Sequence, residues 1–465
     1  MRRVFGQRYV NTAEVMATRD EEGSAKLAEG RLSRRRLLGR SALGAAGGLA
    51  LGSGLLAGLN RGAKASGDPI PLGTMNPLTG PAASDGIAGA RGVELACEEI
   101  NAMGGILGRP LEPVSVDTKN MSAEEVVSAA NLLIDRHGVH AIICCYNIGP
   151  NDAEYEPIAD AGIIYMHVNT AIQHIQTVSS DPERYFGCFM ACGPETWYGI
   201  NYPFMLSRFR EQGVWKPHNN EISVISGSLP YSIVIADALK KHAPEFGWEV
   251  TFDEVVPVPT TEWGAVLAKV REKNPAAIAN THFFAGDIAN CQVQFARQPT
   301  NSLVYYQYGA LLQSFADIAG DAGVGVLTTS MIGVLPDAIG QAFIKKLQEK
   351  HGADVNFHPA SYSYSETWHY AIAAALAGGT AGPGEYDQNR LIASNLKAFP
   401  YRSVCGAMAY KPEWQCTQPY PVYQKDASLG LPQPTVQIKS AEGRKDLVFP
   451  EPYADGEFEI PSWFS

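Results

Sequence analysis

Hydrophobic and polar positions along residues 68–171 follow two alternating spacings. Short stretches that are apolar throughout, or that alternate apolar and polar residues, are typical of strands, whereas apolar residues repeated every three or four positions are typical of helices. Ser122, followed by Glu125, forms a capping box where one such helix begins. The predicted strands are 70–78, 111–119, 139–146 and 163–168, and the predicted helices are 87–102, 122–138 and 151–162. This order predicts a doubly wound α/β domain.

The same alternation starts again after residue 190 and predicts a second domain of the same kind. Its predicted strands are 221–227, 248–257, 276–283 and 302–309, and its predicted helices are 201–213, 231–247, 263–275 and 289–298. The remaining pattern predicts an extended segment at 326–335, helices over 336–352 and 363–379, and a hairpin within 404–424. Two α/β units in one chain indicate a cleft between them, because open α/β sheets bind ligands at the carboxyl ends of their strands.

Composition and charge narrow the classes of partner. The chain has 465 residues, of which 45% are hydrophobic and 18% charged, so it is globular and not disordered. Residues 1–65 hold 12 of the 37 Lys and Arg but only 5 of the 48 Asp and Glu, which leaves the remainder with a net charge of −18. An acidic body argues against nucleic acid and anionic membranes as partners.

The basic N-terminal region has the order of an export signal. Residues 33–38 read S-R-R-R-L-L, which resembles the twin-arginine motif, and the Gly-, Ala- and Leu-rich stretch 41–59 follows them. Small residues at 63–65 then offer a cleavage site. A membrane anchor is the alternative, although the stretch is rich in Gly, Ala and Ser and is marginal as a span. We expect residues 1–65 to be a cleaved signal segment and the mature protein to be periplasmic.

Eight cysteines remain in the expected mature chain. An oxidising compartment permits disulfides, and we favour Cys405 with Cys416, which bracket a hairpin-like stretch. Cys188 with Cys192 is an alternative pair. No zinc-binding spacing is present, so we expect no metal.

Motifs that mark enzymes are missing from the sequence. It contains no HExxH, GxSxG, P-loop or CxxC pair. A loose glycine pattern at 320–327 is followed by a predicted strand where nucleotide binding would need a helix. We therefore expect neither catalysis nor a cofactor, and a hydrolase stays only a remote alternative.

Three segments together resemble a known family. They are "MNPLTGP" at 75–81, the stretch 98–134 with "INAMGGILGRPLE" at its centre, and "YEPIADAGIIYMHVNTA" at 155–171. They are similar to the type I periplasmic binding proteins, in particular the branched-chain amino acid, amide and urea receptors of ABC importers. The resemblance implies an α/β fold with two Rossmann-like lobes joined by three hinge crossings. Lobe one would comprise 68–190 and 330–402, and lobe two 193–327 and 405–465.

The same resemblance implies a role and a set of site residues. A monomer would trap a small solute between its lobes and present it to the transmembrane subunits of an ABC permease; a periplasmic sensor for a signalling protein is the alternative role. The implied ligand-binding residues are Thr79, Ser84, Asp85, Tyr146, Asn147, Asn169, Thr170, Ala171 and Tyr364 from lobe one, and Tyr231, Phe283, Phe284 and Tyr308 from lobe two. Aromatic hydroxyls suit small amphipathic solutes, because each ring adds apolar area and one polar group.

One departure from the family pattern leaves the chemical class of the solute undecided. Amino-acid receptors of this kind usually carry an acid in lobe two for the ligand's ammonium, and Tyr308 falls at that place. A buried ammonium without a carboxylate partner is costly. Asp287 is a possible substitute; otherwise an amide, a urea-like compound or a carboxylate without an amine is as good a candidate as a branched-chain amino acid.

Overall fold

The structure is a computed structural model that describes residues 65–80, 82–147, 152–331 and 333–464. Apart from Ala65, the predicted signal segment 1–65 lies outside these ranges. Within them, no helix combines the length and the apolar character that a membrane span requires.

Helices and strands alternate along the described residues. The α-helices are α1 (Ala83–Ala102), α2 (Ala123–Asn131), α3 (Tyr155–Ala161), α4 (Ile172–Ser180), α5 (Thr196–Glu211), α6 (Pro230–His242), α7 (Gly264–Lys273), α8 (Ala285–Ala296), α9 (Gln313–Ala319), α10 (Ala338–His351), α11 (Phe357–Leu376) and α12 (Tyr386–Ala398). The strands are β1 (Ile70–Asn76), β2 (Leu111–Asp117), β3 (Ala141–Cys144), β4 (Ile164–His167), β5 (Cys188–Met190), β6 (Glu221–Gly227), β7 (Glu249–Val256), β8 (Ala277–Asn280), β9 (Leu303–Gln307), β10 (Leu327–Thr329), β11 (Tyr401–Ser403), β12 (Gly406–Met408), β13 (Tyr410–Lys411), β14 (Cys416–Thr417), β15 (Pro419–Tyr420), β16 (Leu431–Pro432), β17 (Thr435–Ile438) and β18 (Lys445–Phe449).

Lobe one is built on a seven-stranded sheet in the order β13-β14-β5-β4-β3-β1-β2. All neighbours are parallel except β13, which runs antiparallel to β14. Successive side chains of β3 lie on opposite faces of the sheet. Ala141 and Ile143 pack in one apolar cluster, and Ile142 and Cys144 pack in the other. A parallel sheet covered on both faces needs such continuously apolar strands, which is why the sequence showed an uninterrupted run there.

Lobe two repeats this arrangement with a sheet in the order β18-β17-β10-β9-β8-β6-β7. Strands β6 to β10 are parallel, and β17 and β18 add two antiparallel strands at one edge. Along β9, Leu303 and Tyr305 face one core and Val304 and Tyr306 the other. The predicted fold class, α/β with two Rossmann-like lobes, is confirmed.

The chain passes between the two sheets three times: after β5, after β10 and after β14. The last passage corrects the predicted domain division, which gave all of 405–465 to lobe two. Residues 410–417 instead extend the sheet of lobe one, because the Met190 N–H donates to the Gln415 carbonyl at 2.9 Å and Cys416 pairs with Met190. The chain enters the sheet of lobe two only at β17.

The predicted disulfide is also corrected. All eight cysteines lie in the described ranges, and each is buried with a free thiol. Cys405 follows β11 in the turn before β12, and its Sγ lies 3.2 Å from the Ser361 hydroxyl. Cys416 belongs to β14, in a different sheet, so the two side chains serve separate packing sites.

Candidate functional site

A carboxylate from lobe one and a tyrosine from lobe two meet between the lobes. Asp85 lies in the first turn of α1, and Tyr308 directly follows β9. The Tyr308 hydroxyl donates to Asp85 Oδ2 at 3.2 Å, and the Tyr146 hydroxyl donates to the same oxygen at 2.6 Å. Asn356 Nδ2 donates to Asp85 Oδ1 at 2.8 Å. We call these four residues the Asp85 group.

The two tyrosines of this group stay protonated. Burial, together with the charge of Asp85, raises the pKa of Tyr146 and of Tyr308 well above the ordinary tyrosine value. Each phenol therefore donates its single O–H to the carboxylate, and its oxygen can otherwise only accept hydrogen bonds. The group therefore offers mainly acceptors and negative charge to whatever enters the cleft, with the second amide hydrogen of Asn356 as a remaining donor.

Two glycines allow this approach. Gly86 follows the carboxylate residue, and a Cβ there would lie 1.9 Å from the Pro77 carbonyl oxygen. Gly309 follows the lobe-two tyrosine, and a Cβ there would lie 2.2 Å from the Phe283 carbonyl oxygen. Any side chain at either position would push the backbone away, and the hydrogen bond across the lobes would lengthen.

Asn147 and Asn169 lie at the ends of adjacent strands and fix each other's loops. The Asn147 N–H donates to Asn169 Oδ1 at 2.8 Å, and Thr118 Oγ1 donates to Asn147 Oδ1 at 2.8 Å. Asn169 Nδ2 donates to Glu154 Oε1 at 3.1 Å. Both asparagines are buried. The structure therefore brings these two predicted residues together, and their side chains also hold the loops after β3 and β4 in place.

Thr170 and Ala171 connect β4 to α4. Thr170 adopts a φ of 52°, in the left-handed region that non-glycine residues rarely occupy, and its carbonyl accepts the Glu195 N–H at 2.8 Å. Glu195 Oε2 in turn accepts the Ile172 N–H at 2.7 Å. Burial raises the pKa of Glu195 to about 8, so this loop is held by a carboxyl that resists ionisation.

Thr79 and Ser84 lie on the outer part of the opening turn. Both are exposed. The Thr79 hydroxyl donates to Asp117 Oδ2 at 2.6 Å and its N–H to Asp117 Oδ1 at 3.2 Å. The turn is thereby anchored to the end of β2, and Ser84 is left in the first turn of α1 beside the carboxylate residue.

Lobe two contributes a cluster of aromatic rings in edge-to-face and tilted contact. The rings of Tyr231 and Phe283 lie 5.2 Å apart, and those of Phe283 and Phe284 4.6 Å apart. Gln307 Nε2 donates to the Tyr231 hydroxyl at 3.2 Å. Phe284 is 46% exposed, an apolar face presented beside the strand ends of lobe two.

Asp287, the substitute acid considered from the sequence, already has partners in lobe two. Its Oδ2 lies 3.0 Å from His282 Nε2 and accepts the Thr260 N–H at 2.8 Å. The acid that meets Tyr308 is Asp85, from the opposite lobe.

The structure corrects the prediction for Tyr364. Its hydroxyl donates to Glu99 Oε2 at 2.6 Å, and its ring packs 4.9 Å from Phe343. The side chain thus lies among helices α1, α10 and α11 and takes no part in the Asp85 group, because the helical period turns it toward its neighbours in the helix layer.

Asn356 is the member of the Asp85 group that sequence reasoning missed. Its Oδ1 accepts the His358 N–H at 3.2 Å and caps α11, while its Nδ2 reaches Asp85. An Asn before a helix is a recognisable cap signal. Its second bond spans 271 residues and has no local signature.

Over the part of the chain that the structure describes, no three His, Cys, Asp or Glu side chains converge as a metal site would require.

Comparison with known proteins agrees with this architecture. A family model described as periplasmic binding protein matches residues 69–428. The Leu/Ile/Val-binding protein homolog 1 of Brucella abortus (strain 2308) is 25% identical over 348 residues, which are 73% of this chain and 86% of that protein. An amino acid binding protein of Pseudomonas aeruginosa is 26% identical over 358 residues, which are 74% of this chain and 86% of that protein.

Solved structures extend the similarity. A protein of Silicibacter pomeroyi, assigned to branched-chain amino acid ABC transport, superposes with a TM-score of 0.84 and 41% identity over 85% of this chain and 100% of that one. LivJ of Streptococcus pneumoniae, solved with isoleucine, superposes with a TM-score of 0.60 over 82% of this chain and 100% of that one. Its 18% identity shows likeness of fold alone.

Proposed function

Because the chain belongs to the periplasmic binding protein family, we propose that it is the exported solute-binding component of an ABC importer. It captures a small amine-bearing solute, a branched-chain amino acid foremost, by closing its lobes, and it presents the closed form to the permease subunits in the membrane. Closure is a population shift driven by the tighter fit of the solute to the closed state. Binding without chemical change is the task of such a receptor, so we assign it no reaction.

The hydrogen bond from Tyr308 to Asp85 supports this proposal most directly. It joins side chains at the carboxyl ends of the two sheets, where open α/β sheets take ligands. It also forms only when the lobes are close together, which makes it a contact specific to the closed state.

The chemistry of the Asp85 group favours an ammonium over a neutral head group. The carboxylate carries the negative charge, and the oxygens of Tyr146 and Tyr308 have only acceptor capacity left. An ammonium brings three donors and a compensating charge, whereas a carboxylate-only solute brings neither. Neutral amides and urea have N–H donors without the charge and rank second.

A matched set of ligands tests the proposal. L-leucine, isocaproate and isoamylamine share one branched chain; isocaproate lacks the amine, and isoamylamine lacks the carboxylate. Isobutyramide and urea represent neutral solutes. Binding to the mature protein is measured by calorimetry and by the rise in melting temperature, which must grow with ligand concentration.

L-leucine is expected to bind, and isocaproate to bind at least about tenfold more weakly, since a buried charge pair is lost. Asp85→Asn should remove that difference, and the exposed Asp135→Asn on lobe one should keep it. Equal affinities of the wild-type protein for L-leucine and isocaproate would refute the role of Asp85, and binding of none of the five compounds would refute the proposed function.

Fractionation of cells that carry Arg34→Lys and Arg35→Lys tests the proposed periplasmic location, with retention of the precursor expected.

A further inference from the structure

A chain of buried hydrogen bonds runs from the loop after β4 to the tail of the protein. The Asn169 N–H lies 3.2 Å from His167 Nδ1, and His167 Nε2 lies 2.5 Å from the Tyr155 hydroxyl. The same hydroxyl lies 2.7 Å from His174 Nδ1, and His174 Nε2 lies 2.8 Å from the Trp414 carbonyl oxygen. We call this chain the His167 relay.

The two ends of the relay determine its direction. The Asn169 N–H can only donate, so His167 Nδ1 accepts and the proton of that ring resides on Nε2. The Trp414 carbonyl can only accept, so His174 carries its proton on Nε2 and accepts at Nδ1. Tyr155 must therefore accept from His167 and donate to His174. One arrangement of protons satisfies every bond.

The relay is sealed from water. Tyr155, His167 and His174 are each 0% exposed. Burial lowers the pKa of His174 to about 4 and that of His167 well below the ordinary value, so both rings are neutral. The acids nearest to the relay, Asp152 and Glu154, have pKa values raised by burial to about 6 and about 7.

The far end of the relay lies beside the hinge. The ring of Trp414 lies 5.7 Å from that of Tyr423, which lies in the passage between β14 and β17. Tyr423 in turn lies 5.5 Å from Trp197, at the start of α5, directly after the first passage between lobes. Oriented hydrogen bonds thus tie the loop that carries Asn169 to Trp414, and ring contacts connect Trp414 to the segment where the lobes join.

We propose that Tyr155, His167 and His174 are positioning residues of the solute site, and that their relay holds the loop 168–171 in the orientation that the solute requires. This inference rests on the proposed function. Asn169 has a second amide hydrogen and a second oxygen lone pair beyond its bonds to Glu154 and Asn147, and we assign these two groups to the solute.

Tyr155→Phe tests the relay, because it keeps the buried ring and removes both central bonds. Tyr202→Phe is the matched control: it also removes one hydroxyl from a fully buried tyrosine, whose partner is the Ile278 carbonyl in lobe two. The dissociation constant for L-leucine is measured with melting temperature for each variant. Nitrogen NMR of the histidine rings in the solute-free wild-type protein reports which nitrogen carries the proton.

We expect Tyr155→Phe to weaken L-leucine binding roughly five- to twentyfold, and Tyr202→Phe to leave it unchanged. His167→Asn, which keeps an acceptor for the Asn169 N–H, should bind more tightly than His167→Leu. Unchanged affinity in Tyr155→Phe overturns the positioning role. A proton on Nδ1 of either histidine overturns the relay itself. If wild-type protein binds none of the five solutes, the proposed function fails and takes the positioning role with it, while the NMR result still decides whether the relay exists.

Discussion

The hydroxyl oxygen of Tyr308 in lobe two lies 3.2 Å from Oδ2 of Asp85 in lobe one. The two residues are 223 positions apart, yet each directly precedes a glycine that allows its backbone to pack closely. A carboxylate of lobe one therefore lies opposite Tyr308, which stands where the resemblance leads us to expect an acid in lobe two.

Tyr308→Phe should weaken L-leucine binding about three- to tenfold, because it removes a bond of roughly 1 kcal/mol that exists only with the lobes closed. Calorimetry measures the change. Tyr202→Phe in the core of lobe two serves as control. An unchanged dissociation constant in Tyr308→Phe would show that closure does not depend on this contact.

Tyr364→Phe should leave solute affinity within twofold of the wild-type value, since the residue packs in the helix layer of lobe one. Its free energy of unfolding should fall by about 0.5–1.5 kcal/mol through loss of the bond to Glu99. Urea unfolding measures this, and a cycle with Glu99→Gln isolates the pair. A large loss of affinity at normal stability would restore Tyr364 to the site.

All eight thiols should react with Ellman's reagent once the protein is unfolded without reductant. In the folded protein the reaction should be slow, because burial raises the pKa of Cys405 and of Cys416 to about 12 and thiolate is the reactive form. Reductant should not change the melting temperature. A count two thiols short would reveal the disulfide that the structure lacks.

Glu195→Gln should become more stable than the wild-type protein as pH rises. Burial raises the pKa of Glu195 from 4.5 to about 8, so its neutral carboxyl contributes stability that is complete below about pH 4.5 and is lost as pH rises through about 8. Gln keeps an acceptor for the Ile172 N–H without ionising. The difference in unfolding free energy should grow to ~2–4 kcal/mol near pH 8.

Urea unfolding at several pH values measures this difference. Asp152 and Glu154 also have raised pKa values and are present in both proteins. Glu154 cancels in the comparison, whereas the charge of Asp152 helps to raise the pKa of Glu195 and is therefore part of the expected difference. Glu124→Gln, at an exposed position of α2, should track the wild-type curve at every pH. A difference that stays flat across the range would mean that Glu195 is ionised in the folded state.

The local pattern of apolar and polar residues was sufficient to predict the principal strands and helices. The uninterrupted apolar run at 139–146 became β3, an interior strand of the sheet with side chains in two cores. The capping box at Ser122 became the cap of α2, where the Ser122 side chain accepts the Glu125 N–H. Both signals depend on neighbours within a few residues, and such neighbours are visible in a sequence.

Pairing between strands or side chains that are far apart in the chain could not be predicted from the sequence, for a physical reason. β14 has only two residues and joins the sheet through a partner more than two hundred positions away. Two-residue strands have no period to detect. The same holds for Asn356, whose cap is local but whose bond to Asp85 depends on how α1 and α11 cross. Tyr364 shows the converse: the sequence placed it on α11 but could not say which neighbour that face of the helix meets.

The tail beyond residue 409 supplies edge strands to both sheets: β13 and β14 complete one, and β17 and β18 complete the other. A truncated chain would therefore bare two rows of backbone N–H and C=O groups at once, which are ready templates for self-association. Neither half of this molecule can be excised as a contiguous fragment. A sensor built from it should carry the fluorophore domain at a surface turn and keep residues 410–465 intact.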